Sequence, residues 1–451
     1  MKINDQIFSV ILIFLLISIL LFSIQGFSSD AAFQTIDGNV YYVAKEGSDE
    51  NPGTWDAPWL TIQHAAEKLT AGDTILIREG TYHESVYIGQ GGCLGKPITF
   101  SAYPNETIVI DGTAVSESQN GLVITQSYIT LSGLEICNWE DNAIWVEQAA
   151  YIEISDCEIH DICYGIGFAD GSHHFECNRV IAHHFDLYGF DVSPSGGADC
   201  HHGIFNDCLA YTGRDRGQNV DGFALGHGTQ HDFTFNRCQA YDVFDGFDIS
   251  ARNTILSQCA AHACWNGGYK LWQDQVTLMN CLAYKNAVSN VELDWDGQPG
   301  TITLQNCTLV DSGDFNIWVE NAADSLRMVN CILAGGENIG LAFEQMNIEN
   351  YRGDYNLFHN NNRDRAIVVG YEDEFSLDQL NEWQVYIGQD KHSIVSHTKS
   401  DIFISPAQSN YRLSETSLAV DQGTKLDAPA EDYEGKPRPQ GRGYDIGAYE
   451  K

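Results

Sequence analysis

Positive charge is what this sequence has least of. Lys and Arg number 24 against 62 Asp and Glu in 451 residues, a net charge of −38. So acidic a chain is excluded from general nucleic-acid binding, which needs Lys and Arg set against phosphate. Any acidic substrate must meet a local exception to the global field, either a metal ion or a small basic patch. Proline is also sparse, with 10 residues against 42 glycines. Together with 43% hydrophobic residues, that balance excludes a disordered chain and suits many short strands joined by turns. Long apolar runs are missing after Ile24. The run before it, Ile7–Ile24 behind Lys2, reads as a signal peptide or N-terminal anchor within residues 1–29, with cleavage favoured. The expected location is therefore secreted, with no membrane contact beyond that segment.

Cysteine, by contrast, is plentiful. Thirteen cysteines in an exported chain would ordinarily mean disulfides. Their spacing argues otherwise. Cys157, Cys208, Cys238, Cys259, Cys281, Cys307 and Cys331 fill one recurring slot, completed by Leu134 and Val180, at steps of 23, 23, 28, 30, 21, 22, 26 and 24 residues. That is a solenoid period, and it predicts the stacked coils of a parallel β-helix. A second strand follows the slot about ten residues on, in "YGFDV", "DGFAL", "DGFDI", "GGYKL" and "SNVEL". Equivalent residues of adjacent coils then lie about 4.8 Å apart. The cysteines become an inward ladder of free thiols, since parallel Cβ vectors at that spacing are poor disulfide geometry. "WLTIQHAAEKLTAGDTI" places Ile62, Ala65, Ala66 and Leu69 at helical spacing, an expected N-terminal capping helix. The reading is all-β, one β-helix over residues 30–395 with that cap, then a capping tail over residues 396–451.

The register exposes one cluster. Aligning second strands on Phe190, Phe223, Phe247, Tyr269 and Val291 gives an outward column of Asp191, Ala224, Asp248, Lys270 and Glu292. Two residues before the aligned position, Asp221 and Asp245 are successive members of another column. Asp221, Asp245, Asp248 and Lys270 thus converge across three coils, and one of the chain's eleven lysines stands a single rung from Asp248. Three carboxylates around one cation carry excess negative charge, and oxygen-only ligands suit a hard ion, Ca²⁺ above all. A lysine beside a bound dication is pushed toward its neutral form and can serve as a general base. Ion and base together are equipped to remove a proton α to a carboxylate, a step that expels the C4 sugar in a uronic-acid polymer. The other reading is a surface charge ladder of Asp248, Lys270 and Glu292, worth about 0.2–1 kcal/mol per pair. Spacing alone leaves both open.

Longer stretches carry a resemblance. "YYVAKEGSDENPGTWDAPWLTIQHAAEKLTAGDTILIREGTYHESV", "GKPITFSAYP" and the ending "DYEGKPRPQGRGYDIGAYE" resemble secreted right-handed β-helix proteins of the pectate-lyase-like superfamily. Within it, "NVDGFAL", "VFDGFDI" and "NGGYKLW" are similar to the core of family 9 pectate lyases. The resemblance implies a right-handed helix and a calcium-dependent lyase acting on an acidic polysaccharide. It also implies Asp221, Asp245 and Asp248 as metal ligands and Lys270 as the base. One departure stands out: Phe244 occupies a position where the family pattern has a further Asp. The rivals are a glycoside hydrolase of the same fold, which needs paired acids, and a non-catalytic scaffold, for which Phe244 is the argument.

Other features remain. Arg214 and Arg216, in the long loop before Asp221, are candidates to grip substrate carboxylates by bidentate pairing, or are loop arginines paired with Asp215. Histidine pairs at 173–174, 183–184 and 201–202 suggest a transition-metal cluster, but His160, His183, Tyr211, Tyr241, His262 and Tyr284 share one slot, and a ring stack explains several of them. Trp145 and Trp318 are expected on the surface flanking the charged column, where they could stack on sugar rings. The chain is expected to be a monomer.

Overall fold

The computed structural model describes residues 38–115, 119–193, 197–226, 229–293, 300–320, 325–344, 348–370 and 373–451. The segment expected to direct export lies outside them.

Each coil contributes up to three strands, and each strand pairs in parallel with its equivalent one coil on. The first sheet has 13 strands, from Val40–Val43 to Tyr351–Asp354. A second sheet carries Ile159, Ala182, Ala210, Ala240, Ala261 and Ala283 on successive rungs. A third carries Ile166, Phe190, Phe223, Phe247, Tyr269 and Val291. In the coils Glu135–Glu147, Glu158–Ala169 and Ile181–Ser193 the second and third strands run on as one, bent by an irregularity between Ile162 and Tyr164. The result is the parallel β-solenoid that the period predicts.

What lets a short coil close is a recurring set of one-residue corners, two of which flank the ladder. The residue before each ladder position (Asp156, Arg179, Asp207, Arg237, Gln258, Asn280, Asn306, Asn330) is left-handed, with φ from 50° to 56°. Asp161, His184, Thr212, Asp242, Ala263, Lys285 and Asp311, each four residues past the ladder, are left-handed too, at φ 53–57°. Such a conformation costs an L-residue about 1–2 kcal/mol, and repeated inter-coil hydrogen bonds offset it.

The interior is built of columns. The seven ladder cysteines are at most 2% exposed and all thiols are free. The Sγ atoms of Cys208, Cys238, Cys259, Cys281 and Cys307 donate back to the preceding coil, as in Cys238 Sγ to Phe205 O and Cys281 Sγ to Leu256 O, both 3.3 Å. Beside them the rings of Phe190, Phe223, Phe247 and Tyr269 stack at 4.7, 4.8 and 5.0 Å. The expected outer stack from His160 to Tyr284 is continuous, with centroids 4.6–5.1 Å apart.

Helix Ile62–Lys68 buries Ile62, Ala65 and Ala66 in the core of the first coils. Thr61 accepts from His64 N at its start, and Glu84 accepts from Ile62 N and Gln63 N. The tail takes a course different from the expected cap. Its Phe403, Tyr411, Ile446 and Ala448 pack on the outward side chains Ala260, Leu282 and Ile332, along the flank of the second sheet. Those rungs are apolar on their outer face, and the tail covers them. A buried pair, Arg438 Nη1 to Glu450 Oε2 at 2.6 Å, together with Arg438 Nη2 to Asn280 Oδ1 at 3.1 Å, ties it to the coils.

Native protein treated with a thiol reagent is expected to label rapidly at exposed Cys93, with the ladder cysteines reacting only after unfolding. Prompt labelling of Cys238 or Cys259 in the folded state would contradict the inward ladder. Removing one ring of the stack, Phe223→Ala, is expected to cost about 3–5 kcal/mol in denaturant unfolding.

Candidate functional site

The third sheet sets the site. Strands Asp221–Leu225, Phe247–Ile249, Gly267–Leu271 and Ser289–Leu293 lie in register. Alternation sends Phe223, Phe247, Tyr269 and Val291 inward and their successors outward. The outward column runs Trp145, Gly167, Asp191, Ala224, Asp248, Lys270, Glu292, Trp318. Lys270 therefore stands between Asp248 on one rung and Glu292 on the next, as the period requires. Its ammonium also lies 4.4 Å from the ring centroid of Trp272, two residues along the same face.

Asp221 and Asp245 are joined directly. Asp245 N donates to Asp221 Oδ1 at 3.2 Å, and Asp245 Oδ1 accepts from Gly267 N at 2.7 Å and Asn266 Nδ2 at 2.9 Å. Asn219 Nδ2 donates to Asp221 Oδ2 at 2.9 Å. Gly267 makes this approach possible, since a Cβ there would stand 2.8 Å from Asp245 Oδ1. Asp221 and Asp245 share the parity of the inward phenylalanines, and they are 1% and 0% exposed.

Burial without full satisfaction shapes the electrostatics. Asp245 Oδ2 and Asp248 Oδ1 are buried with no hydrogen-bond partner. Burial, reinforced by Asp245 and Asp248, holds the Asp221 carboxyl well above the ordinary range, and burial raises Asp245 as well. Burial and the Asp245 charge push Asp248 up to about 7, with Lys270 acting in the opposite direction. Asp191, further along the column, is also lifted to about 7 by burial. Two unsatisfied carboxylate oxygens in an acidic, desolvated patch fit a hard cation in chemistry. They do not form a closed cage. Among the described residues, the groups of three His, Cys, Asp or Glu whose ligand atoms lie within 4.8 Å of one another are elsewhere. Phe244 adds no oxygen from its side chain. Its half-buried ring packs on the core, while its N donates to Val220 O at 2.6 Å. Asn266, one rung on, puts its amide on Asp245 instead. Asn266 stands at the head of "NGGYKLW", and that motif was the available signal for it.

The two loop arginines are already paired. Arg214 forks onto Asp186 with both bonds at 2.8 Å, and Arg216 reaches Asp242 at 3.0 Å with its guanidinium 4.1 Å over Trp265. Asp215 takes neither arginine and instead accepts from Gly217 N. Both tryptophans lie in the site column and are half-buried rather than exposed. Trp145 covers Gly167 and donates to Glu147 Oε2 at 3.1 Å, and Trp318 stacks on Phe315 at 5.3 Å.

The profile of the Pel9A-like, right-handed β-helix region matches residues 41–316, more than half of the chain. The chain belongs to the Pel9A-like right-handed β-helix family. This Pel9A-like chain is 41% identical to YwoF of Bacillus subtilis over 121 residues, 26% of this chain and 25% of YwoF. It is 27% identical to pectate lyase PEL9 of Emericella nidulans over 277 residues, 60% of this chain and 62% of that protein. It thus spans a quarter of the first relative and less than two thirds of the second. The crystal structure of pectate lyase Pel9A shares the fold, with a TM-score of 0.55 at 17% identity over 92% of this chain and 96% of that one.

A pH-dependence follows from the raised carboxyls. A group protonated more readily in the folded state stabilises below its unfolded pKa, and that stability is lost as pH rises from about 3.8 through about 7. A cation among the aspartates offsets the loss. The gain in Tm on adding calcium is therefore expected to be larger at pH 8 than at pH 5, and smaller at pH 8 in Asp248→Asn. A calcium gain independent of both pH and Asp248 would contradict this electrostatic account.

Proposed function

We propose that the protein is a secreted, calcium-dependent polysaccharide lyase that cleaves a polyuronate, pectate first among them, by β-elimination. The observation that carries this reading is Lys270, set one rung from Asp248 beside buried aspartate oxygens that lack partners. Membership of a family whose relatives include pectate lyases supports it.

Asp221, Asp245 and Asp248 are the residues that would hold calcium, which when bound supplies positive charge to the uronate carboxylate and to the enediolate that develops from it. Lys270 takes the proton from C5, α to that carboxylate. The electron pair forms the C4–C5 double bond, the C4–O bond breaks, and the departing oxygen takes up a proton as the preceding sugar chain leaves. No water enters the products. The column from Trp145 to Trp318 spans seven rung spacings, roughly 34 Å at the spacing between strands. Such a track suits a polymer lying along the solenoid, with an aromatic face toward each end for a sugar ring. A non-catalytic carbohydrate-binding role is the second reading, and the observation favouring it is Phe244.

The test is ultraviolet absorbance of the unsaturated product from polygalacturonate, followed with calcium, with chelator, and with Lys270→Ala. Absorbance should require calcium and fall on the order of 10²–10⁴-fold in Lys270→Ala. A folded protein giving no absorbance on polygalacturonate or other polyuronates would remove the lyase reading and favour the scaffold.

A further inference from the structure

Three consecutive strands of the first sheet open with paired ligand-bearing residues: His173–His174, His201–His202 and His231–Asp232. The rings of His173, His201 and His231 stack at 4.8 and 5.1 Å, within 6° of parallel. His174 stacks on His202 at 4.6 Å, and Asp232 continues that second column.

The two columns lie side by side because of the backbone. His174, His202 and Asp232 have φ of 53°, 57° and 65°. A left-handed residue breaks the alternation of a strand, so two sequential side chains leave on the same outer face. The corner needs that conformation, but it does not need histidine. Tyr128, Tyr151, Asn253 and Gln275 hold the same position in other coils at φ 63°, 59°, 49° and 61°.

Within each pair the ring nitrogens face one another. Nδ1 to Nδ1 is 2.8 Å in His173–His174 and 2.7 Å in His201–His202, and His231 Nδ1 meets Asp232 Oδ2 at 2.7 Å. Two imidazolium rings would both donate there and repel, so each histidine pair holds at least one neutral ring with a lone pair. At metal–nitrogen bonds of about 2.0–2.1 Å, nitrogens so spaced subtend roughly 85° at an ion. That is the edge of a square or an octahedron, and tetrahedral zinc opens wider. His202 Nε2, 3.6 Å from Asp232 Oδ2, links the second rung to the third. The ligand atoms of His173, His174 and His201 all lie within 4.8 Å of one another, as do those of His202, His231 and Asp232. A groove of about 540 Å³, lined by His174, Glu176, His202, Asp232 and Asn253, opens on them.

We propose that this column binds divalent transition ions of the nickel or copper type at two neighbouring sites, one formed by His173, His174 and His201 and the other by His202, His231 and Asp232. It shares no residue with the aspartate cluster, and its donors are nitrogen-rich where those are oxygen alone.

The test titrates chelator-stripped full-length protein with Ni²⁺ by calorimetry in excess Ca²⁺ and follows Tm. Ni²⁺ should bind despite the Ca²⁺ and raise Tm, because an ion held only by the folded state stabilises it. His174→Tyr with His202→Tyr keeps a ring that other coils accept at this position but removes two nitrogens. It should weaken Ni²⁺ binding at least about tenfold, while Asp221→Ala leaves it unchanged. Equal affinity in the wild type and the double variant, or absence of Ni²⁺ binding to the wild type, would overturn the proposal and leave the histidines as a ring stack only.

Discussion

Backbone hydrogen bonds between successive coils hold equivalent residues about 4.8 Å apart, and the position of every other feature is referred to that spacing. It turns seven cysteines scattered over 175 residues into one thiol ladder, and four rings into one stack. It also brings Asp221, Asp245, Asp248 and Lys270 to three adjacent rungs of one sheet. The same spacing sets a cost. Like charges placed one rung apart in a buried column repel strongly, and they must protonate, pair or take up a cation.

That cost explains the arrangement around Lys270. The chain as a whole is strongly acidic, so on the proposed lyase reading the ammonium inserted between Asp248 and Glu292 is the local exception that an anionic substrate would require. Rigid neighbours fix the aspartates: Gly267 N and Asn266 hold Asp245, while Asn219 holds Asp221. These bonds satisfy one oxygen on each of Asp245 and Asp221 and leave Asp245 Oδ2 unpartnered. On the proposed lyase reading, a site prepared in this way would spend little on reorganisation as charge develops in it. Phe244 lowers the oxygen count, and the carboxyls of Asp221 and Asp248 stand above their ordinary range where a bound ion would bring them down.

Much of this was legible in the chain because the period is carried by side chains that face inward. Cys259 and Phe247 recur where the interior demands small and large apolar groups, and the outward columns follow by counting from them. The corners were less legible. Asp156, Arg179, Gln258 and Asn280 share a left-handed backbone without sharing a side-chain chemistry, so no motif announces them. For the same reason the pairs at 173–174 and 201–202 suggested a metal cluster by composition alone, and only the backbone showed two side chains leaving together. Arg214 looked available to substrate because its partner Asp186 lies one coil away, where local sequence gives no sign of it. The tail's course was hidden too, since apolar residues such as Tyr411 and Ile446 suit an end cap and a flank equally well. Trp145 and Trp318 were placed correctly beside the column, and their half-burial comes from Gly167 and Phe315, whose contacts only the fold reveals.

The central claim is that Lys270 and the three aspartates carry out an elimination, in which no solvent oxygen enters the products. Digesting polygalacturonate in ¹⁸O-labelled water with calcium and weighing the oligosaccharides by mass spectrometry tests it most directly. The account predicts new non-reducing ends lighter by the mass of one water than their hydrolytic counterparts, and no more ¹⁸O at the new reducing ends than a pre-formed product gains by exchange in the same water. Saturated non-reducing ends, with one ¹⁸O per cleavage above the exchange seen in a pre-formed product, would contradict it and show hydrolysis instead.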